Sequence, residues 1–137
     1  MLLASLAATL LACTGTNADS TSGAPSLTLI SPVDGDTVCG GPLEVVTKVE
    51  NFTLTNQTIE NPPPNEGHMH VYLNGQEAAQ SDSENVTITD EPNGDGAPVN
   101  DGPWQLSLDL ALADHSPLVP FVGTYIYITV DNTLCTG

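Results

Sequence analysis

The stretch EGHMHVYLNG, residues 66–75, carries the clearest structural signal in the chain. Apolar Met69, Val71 and Leu73 alternate with polar residues, and this period of two is typical of a strand with one buried face. The following Asn74-Gly75 pair is a strong signal for a tight hairpin turn. The sequence therefore predicts a strand that ends in a hairpin.

The rest of the chain repeats this pattern and offers little helical periodicity. Short alternating segments are separated by turn signals, which is typical of a β-sandwich. We predict an all-β, immunoglobulin-like antiparallel β-sandwich of about seven strands. In immunoglobulin lettering, the strands are A 27–30, A′ 36–39, B 43–52, C 68–73, D 76–80, E 85–89, F 104–112 and G 122–131. Strands C, F and G are expected to share one sheet.

The N-terminal segment predicts export and lipid attachment. Residues 1–12 are almost wholly apolar, although no Lys or Arg precedes the apolar run. That length fits a signal peptide and is too short for a membrane-spanning helix. The run ends in LLAC, residues 10–13, which resembles a bacterial lipobox and implies lipidation of Cys13. An ordinary secretory signal is the alternative.

Residues 13–26 are small and polar and predict a flexible tether that carries the lipidated cysteine. Residues 27–137 have the length of one folded domain. We therefore expect a membrane-anchored protein of the bacterial cell envelope, at the outer membrane or cell surface. With Cys13 assigned to lipid, Cys39 and Cys135 remain, and an exported compartment favours a disulfide between them.

The charge of the chain restricts its partners. Seventeen acidic residues against one basic residue give a formal net charge of −16. Such a surface repels phosphate backbones, so nucleic acid is not expected as a partner. Cationic side chains that would clamp phosphate or carboxylate substrates are scarce, and no local catalytic motif is present. An enzymatic function is therefore not expected.

The three histidines form the main candidate site. His68 and His70 share the outward face of strand C, and His115 follows strand F in LADHSPL. Because C and F are sheet neighbours of opposite direction, we expect all three imidazoles at one rim, provided that residues 76–80 form a strand. Three imidazoles suit Zn or Cu. Candidates for a fourth ligand or a supporting contact are Glu66, Tyr72, Asp114, Tyr125 and Tyr127.

A structural explanation of the histidines stays open. His70 and Tyr72 on an exposed face, stacked on Tyr125 or Tyr127, would need no metal. A second and less favoured site is the loop NGDGAPVNDG, residues 93–102. Its oxygen donors for Ca²⁺ are Asn93, Asp95, Asn100 and Asp101, but their spacing does not match an EF-hand.

Three segments together resemble a group of bacterial exported immunoglobulin-like domains. They are SPVDGDTVCGGPLEVVTKVENF (31–52), EGHMHVYLNG (66–75) and LSLDLALADHSPL (106–118). That group carries a G-H-x-H-x-Y-x-[DN]-G strand and a later D-H-x-P-L segment, and has no settled biochemical activity. The resemblance implies fold and location more than function. The expected function is a non-catalytic binding module of the envelope that holds a metal, with a structural or adhesive module contacting protein or glycan as the alternative.

Overall fold

The computed structural model describes residues 23–136. The predicted signal peptide, the lipidation of Cys13 and residues 13–22 of the predicted tether lie outside the described residues. Within residues 23–136, no helix is long and apolar enough to cross a bilayer.

The described chain is built almost entirely from β-strands, which confirms the predicted fold class. The only helical element among the described residues is a short 3₁₀ turn at Asn132–Leu134. The nine strands are β1 (Ser26–Ser31), β2 (Thr37–Val38), β3 (Leu43–Glu50), β4 (Thr53–Leu54), β5 (Glu66–Leu73), β6 (Gln76–Ser81), β7 (Asn85–Ile88), β8 (Gly102–Leu112) and β9 (Gly123–Val130).

The strands form two sheets. One has the order β1-β3-β7, and the other has the order β2-β9-β8-β5-β4, with β6 also paired to β5. The predicted strands C, F and G correspond to β5, β8 and β9, and they share the larger sheet as expected. β8 is antiparallel to both of its neighbours.

The position of β6 corrects the lettering of the predicted strand D. A D strand would join the sheet of β1, β3 and β7, but β6 pairs with β5 in the larger sheet. The reason is the tight turn at Asn74 (φ 48°) and Gly75 (φ 79°), whose left-handed backbone returns the chain directly beside β5. β6 still reverses the chain once, so the predicted direction of β8 is unchanged.

The core lies between the two sheets and is filled by the alternate residues of the long strands. Met69, Val71 and Leu73 are fully buried, as predicted. β3, β7, β8 and β9 contribute the other core side chains, which include Leu43, Val45, Val86, Ile88, Leu106, Leu108, Leu110, Ile128 and Val130.

Val99 joins this core from the predicted calcium loop. Its side chain is fully buried, and its backbone N–H donates to the carbonyl of Gly40 at 3.0 Å. Val99 therefore anchors the second half of this loop in the core.

A disulfide joins Cys39 to Cys135 with a Cα–Cα distance of 5.0 Å. The two residues meet because β2 and β9 are parallel neighbours, with Thr37 opposite Thr129 and Val38 opposite Val130. Cys39 and Cys135 both follow the ends of these strands. The bridge therefore lies at the end of the sandwich where β9 finishes and β8 begins.

Candidate metal site

The pairing of β5 with β8 fixes the position of the first two histidines. His68 lies opposite Ala111, and His70 lies opposite Asp109. Both histidines point to the face of the sheet away from the core, because Met69 and Val71 occupy the inward positions between and beside them. This face is the one that the sequence pattern predicted.

His115 reaches the same place through a turn that follows β8. The backbone N–H of His115 donates to the carbonyl of Leu112 at 2.8 Å, and that of Leu112 donates to the carbonyl of Ser116 at 2.9 Å. The chain then returns so that Pro117 pairs with Ala111. Ala111 is also the strand partner of His68. The turn therefore places His115 next to His68, near the start of β5.

The burial of the pair differs from the expected exposed strand face. His68 is 1% exposed and His70 is 8% exposed, whereas His115 is exposed. The returning segment contributes to this burial, since the His115 ring lies 4.5 Å from the His68 ring between centroids, and Pro117 and Phe121 line a hollow of about 160 Å³ together with His70. The outer face of β5 is therefore covered by protein at the histidines.

The three imidazoles are close enough to bind one ion. One ring nitrogen from each histidine can be chosen so that all three lie within 4.8 Å of one another. His68 Nε2 and His115 Nδ1 are 3.2 Å apart. Two nitrogens bound to one tetrahedral zinc at ordinary bond lengths are separated by about 3.3 Å. Because the His115 side chain is exposed, it can move slightly and bring the three ring nitrogens to the spacing that one ion requires.

Two ring nitrogens of the site are buried without a hydrogen-bond partner, His68 Nδ1 and His70 Nε2. Buried polar atoms nearly always have a partner, and leaving one without a partner costs about 1–3 kcal/mol. A metal ion would satisfy His70 Nε2 directly. His68 offers either ring nitrogen, Nδ1 because it is unpaired, or Nε2 because an ion can replace the proton that it shares with His115.

The opposite nitrogen of His70 makes a hydrogen bond with one oxygen atom and lies near a second, negatively charged one. His70 Nδ1 is 3.0 Å from the Tyr72 hydroxyl and 3.5 Å from Asp109 Oδ1. An ionised carboxylate only accepts hydrogen bonds, so it favours the tautomer with the proton on Nδ1. The lone pair then lies on Nε2, the unpaired nitrogen. A histidine oriented by a carboxylate in this way is the usual arrangement behind a metal ligand.

The electrostatic surroundings favour an imidazole that is free to bind. Burial lowers the pKa of His68 most, and the neighbouring His70 and His115 lower it further. His68 therefore stays neutral at pH 7, as a metal ligand must. Burial also raises the pKa of Tyr72, with Asp109 and Glu77 adding to the effect, so its phenol keeps its proton.

The predicted fourth ligands do not join the group. Among the described residues, the histidine, cysteine and acidic side chains close enough to share an ion are the three histidines, without Glu66 or Asp114. The Asp114 carboxylate instead accepts hydrogen bonds from Ser116 in the turn, which lower its pKa. Tyr72 takes the supporting position expected of it.

Stacking of His70 and Tyr72 on the tyrosines of β9 is not seen, because β8 lies between β5 and β9. Tyr125 and Tyr127 instead contact each other edge to face. Asp109, which the sequence analysis missed, occupies the position opposite His70. The only sequence signal for Asp109 was that it is the one charged residue of β8.

The four calcium candidates lie in and beside the loop that Val99 anchors. Asn93 and Asn100 direct their amide nitrogens toward Glu91 Oε2, at 2.8 and 2.9 Å. The Asp101 carboxylate accepts from the backbone N–H of Asn132 at 2.7 Å. Calcium binding by this loop stays a prediction.

Comparison with known proteins shows the fold. No family model and no curated protein matches the chain. Fibronectin(III)-like modules of CbhA from Clostridium thermocellum match with a TM-score of 0.50 and 15% identity, over 80% of this chain and 99% of the module chain. An endo-β-1,4-mannanase from Thermotoga petrophila matches with a TM-score of 0.46 and 17% identity, over 85% of this chain and 22% of the mannanase. The similarity to the fibronectin(III)-like module supports an immunoglobulin-like β-sandwich.

Proposed function

We propose that this protein is an exported cell-envelope lipoprotein whose immunoglobulin-like domain is non-catalytic and binds one transition metal ion through His68, His70 and His115. The observation that carries the proposal is the cluster itself. Three imidazoles converge within 4.8 Å, and two of them are buried with an unpaired ring nitrogen. A purely structural histidine cluster would leave those nitrogens without compensation.

The donor set points to a class of metal. Neutral imidazoles suit Zn(II), Cu(II) and Ni(II), whereas Ca²⁺ and Mg²⁺ prefer oxygen ligands. Three protein ligands leave a coordination position open for water or a partner group. The net charge of −16 would also raise the local concentration of cations.

Export is supported by two features that are independent of the metal site. The apolar N-terminal segment ends in the lipobox-like LLAC at residues 10–13. The Cys39–Cys135 disulfide fits an oxidising compartment. We therefore propose attachment to the membrane through Cys13, with the domain facing the envelope or the cell surface. Mass spectrometry of the protein from its native membrane would detect the acyl groups on Cys13.

The metal proposal is tested by titrating chelator-stripped protein with Zn(II) and Cu(II) in a calorimeter at pH 7.5 and pH 5.5. We expect one site per chain with a dissociation constant below about 10 µM at pH 7.5. Affinity should fall at pH 5.5, because protons compete with the metal ion for the imidazole nitrogens. A background of millimolar Ca²⁺ suppresses weak binding to surface carboxylates.

Three variants make the test specific, and in one of them all three histidines are replaced by alanine. His115→Asn removes the exposed imidazole while keeping a residue that tolerates the left-handed backbone at this position (φ 68°). Glu44→Gln removes an exposed carboxylate elsewhere and serves as the control. Equal binding by wild type and the variant lacking all three histidines would remove the proposal.

The second candidate function is a structural or adhesive module that contacts protein or glycan without metal. Its support is the exposed apolar tip beside the site, where Val119 is 92% exposed and Phe121 is 68% exposed. Exposed apolar side chains of this kind often mark contact surfaces. Failure of metal binding with retention of the fold would favour this candidate.

A further inference from the structure

A row of side chains crosses the outer face of the larger sheet beside the metal site. Tyr72 on β5 lies opposite Ser107 on β8, and Ser107 lies opposite Tyr125 on β9. Adjacent strands are about 4.8 Å apart, so the two tyrosines stand on backbones about 9.6 Å apart with a small residue between them. The result is a trough with an aromatic side chain on each side.

One end of the trough is closed by Phe121. A Cβ on Gly123 would lie only 2.6 Å from Cζ of Phe121, so the absence of a side chain at Gly123 lets the phenyl ring rest against β9. Phe121, Tyr72 and Tyr125 together line a cavity of about 280 Å³. This volume is near the lower end of the range for sites that bind small molecules.

The charges around this trough are negative. Asp109 lines the cavity and is half-buried, and Glu77 on β6 lies opposite Tyr72. The single basic residue of the chain, Lys48, belongs to the other sheet and is paired with Glu50 at 3.0 Å. No lysine or arginine therefore competes for these carboxylates.

We propose that this trough binds a small organic cation with an alkylated ammonium head group. Aromatic side chains attract such groups through their π-electrons, and a nearby carboxylate adds charge complementarity. An anionic ligand would meet the Asp109 carboxylate in the cavity, with Glu77 adding negative charge nearby and no cationic side chain to offset it. The inference is independent of the proposed metal function, because the aromatic row and Asp109 do not require an ion at the histidines.

The test uses choline and its uncharged isostere 3,3-dimethyl-1-butanol as probes, with metal-free protein. Chemical shifts of the tyrosine rings and of neighbouring amides are followed by NMR during each titration. We expect choline to bind at least about tenfold more tightly than the neutral alcohol, since both fill the trough but only choline carries charge. Equal affinity for the two probes would overturn the proposal.

Variants locate the binding site. Tyr125→Ala should weaken choline binding about three- to fivefold or more, the range expected for loss of one aromatic contact with a cation. Ser107→Leu should abolish binding by filling the floor of the trough. The control is Tyr127→Phe on the same face of β9, since Tyr127 does not line the cavity and phenylalanine keeps a ring beside Tyr125.

Choline binding that survives Ser107→Leu, or that falls equally in the two tyrosine variants, would overturn the placement of the cation in the trough. Because the protein is free of metal throughout, a negative result would leave the metal proposal untouched. Binding of Zn(II) without binding of choline, and the converse, are therefore separate outcomes.

Discussion

At the scale of single residues, the orientation of His70 depends on Asp109. Oδ1 of the carboxylate lies 3.5 Å from Nδ1, the residue is half-buried, and burial is the main cause that raises its pKa. Replacing it with an amide removes the charge and permits the reverse hydrogen bond, from the amide to Nδ1. The ring would then carry its proton on Nε2, where the metal should bind.

We therefore predict that Asp109→Asn lowers Zn(II) affinity by about tenfold or more, as is usual for loss of a carboxylate behind a histidine ligand. Glu77→Gln is the matched control, because Glu77 acts on the same site by charge without contacting His70. The Zn(II) affinity of the Glu77→Gln variant should stay within about threefold of that of the wild type. Competition titration measures both, and nitrogen chemical shifts of His70 report the tautomer in metal-free protein. An unchanged tautomer in Asp109→Asn would contradict the prediction.

His68 should make the stability of the metal-free protein depend on pH. Its pKa is lowered in the folded state, so the unfolded chain binds a proton more readily as pH falls below about 6.5. The free energy of unfolding is therefore unaffected by His68 protonation above that pH and falls as the pH drops below it. We predict that wild type loses more stability between pH 7.5 and pH 5.0 than His68→Gln, measured by urea unfolding with a chelator present. Parallel pH profiles would contradict this.

The gathering of the three histidines could be predicted, because strand alternation and strand direction suffice to bring them to one rim. The partner of His70 could not, since the register of β5 against β8 has no local signature. The burial of His68 and His70 was missed for a related reason. Nothing in LADHSPL indicates that the chain turns back and pairs Pro117 with Ala111.

At the scale of elements, the site depends on close contact between β5 and β8 at Gly67. A Cβ at this position would lie 1.9 Å from the carbonyl oxygen of Ala111, the residue opposite His68. Only glycine therefore allows the two strands to approach at this end. The neighbouring pair, Gly67 and Leu112, is the last of the ladder before the turn to His115.

We predict that Gly67→Ala separates the strands at this end and weakens Zn(II) binding at least tenfold, in addition to reducing stability. The control is Gly75→Ala in the β5–β6 turn, where the backbone is left-handed but nothing lies within 4 Å of the added Cβ. It should cost about 1–2 kcal/mol of stability through backbone strain and leave affinity unchanged. Urea unfolding and calorimetry measure the two effects. Equal affinities for the two variants would contradict the prediction.

At the scale of the whole molecule, the disulfide and the proposed metal site lie at opposite ends of the larger sheet. The disulfide lies where β8 begins, and the histidines lie where β8 ends. The bridge joins residues 96 apart in sequence, so it restricts most of the unfolded domain. The chain-entropy model gives about 4.7 kcal/mol for a loop of this size.

We predict that the Cys39→Ala, Cys135→Ala double variant loses about 4–5 kcal/mol of unfolding free energy. Its Zn(II) affinity should stay within about threefold of wild type wherever the variant remains folded, because the bridge is remote from the site. Using a variant rather than a thiol reductant avoids chelation of the titrated metal. A large loss of affinity in folded protein would show that the two ends are coupled.

The same bridge has a mechanical consequence. All three histidines lie inside the covalent ring closed by Cys39 and Cys135, while the predicted membrane tether lies outside it. A force applied between the tether and the residues after Cys135 would first peel away β1 and β2, and the tension would then pass through the sulfur–sulfur bond. Most of the larger sheet, including the strands on which the histidines stand, would be shielded from a force directed along the tether.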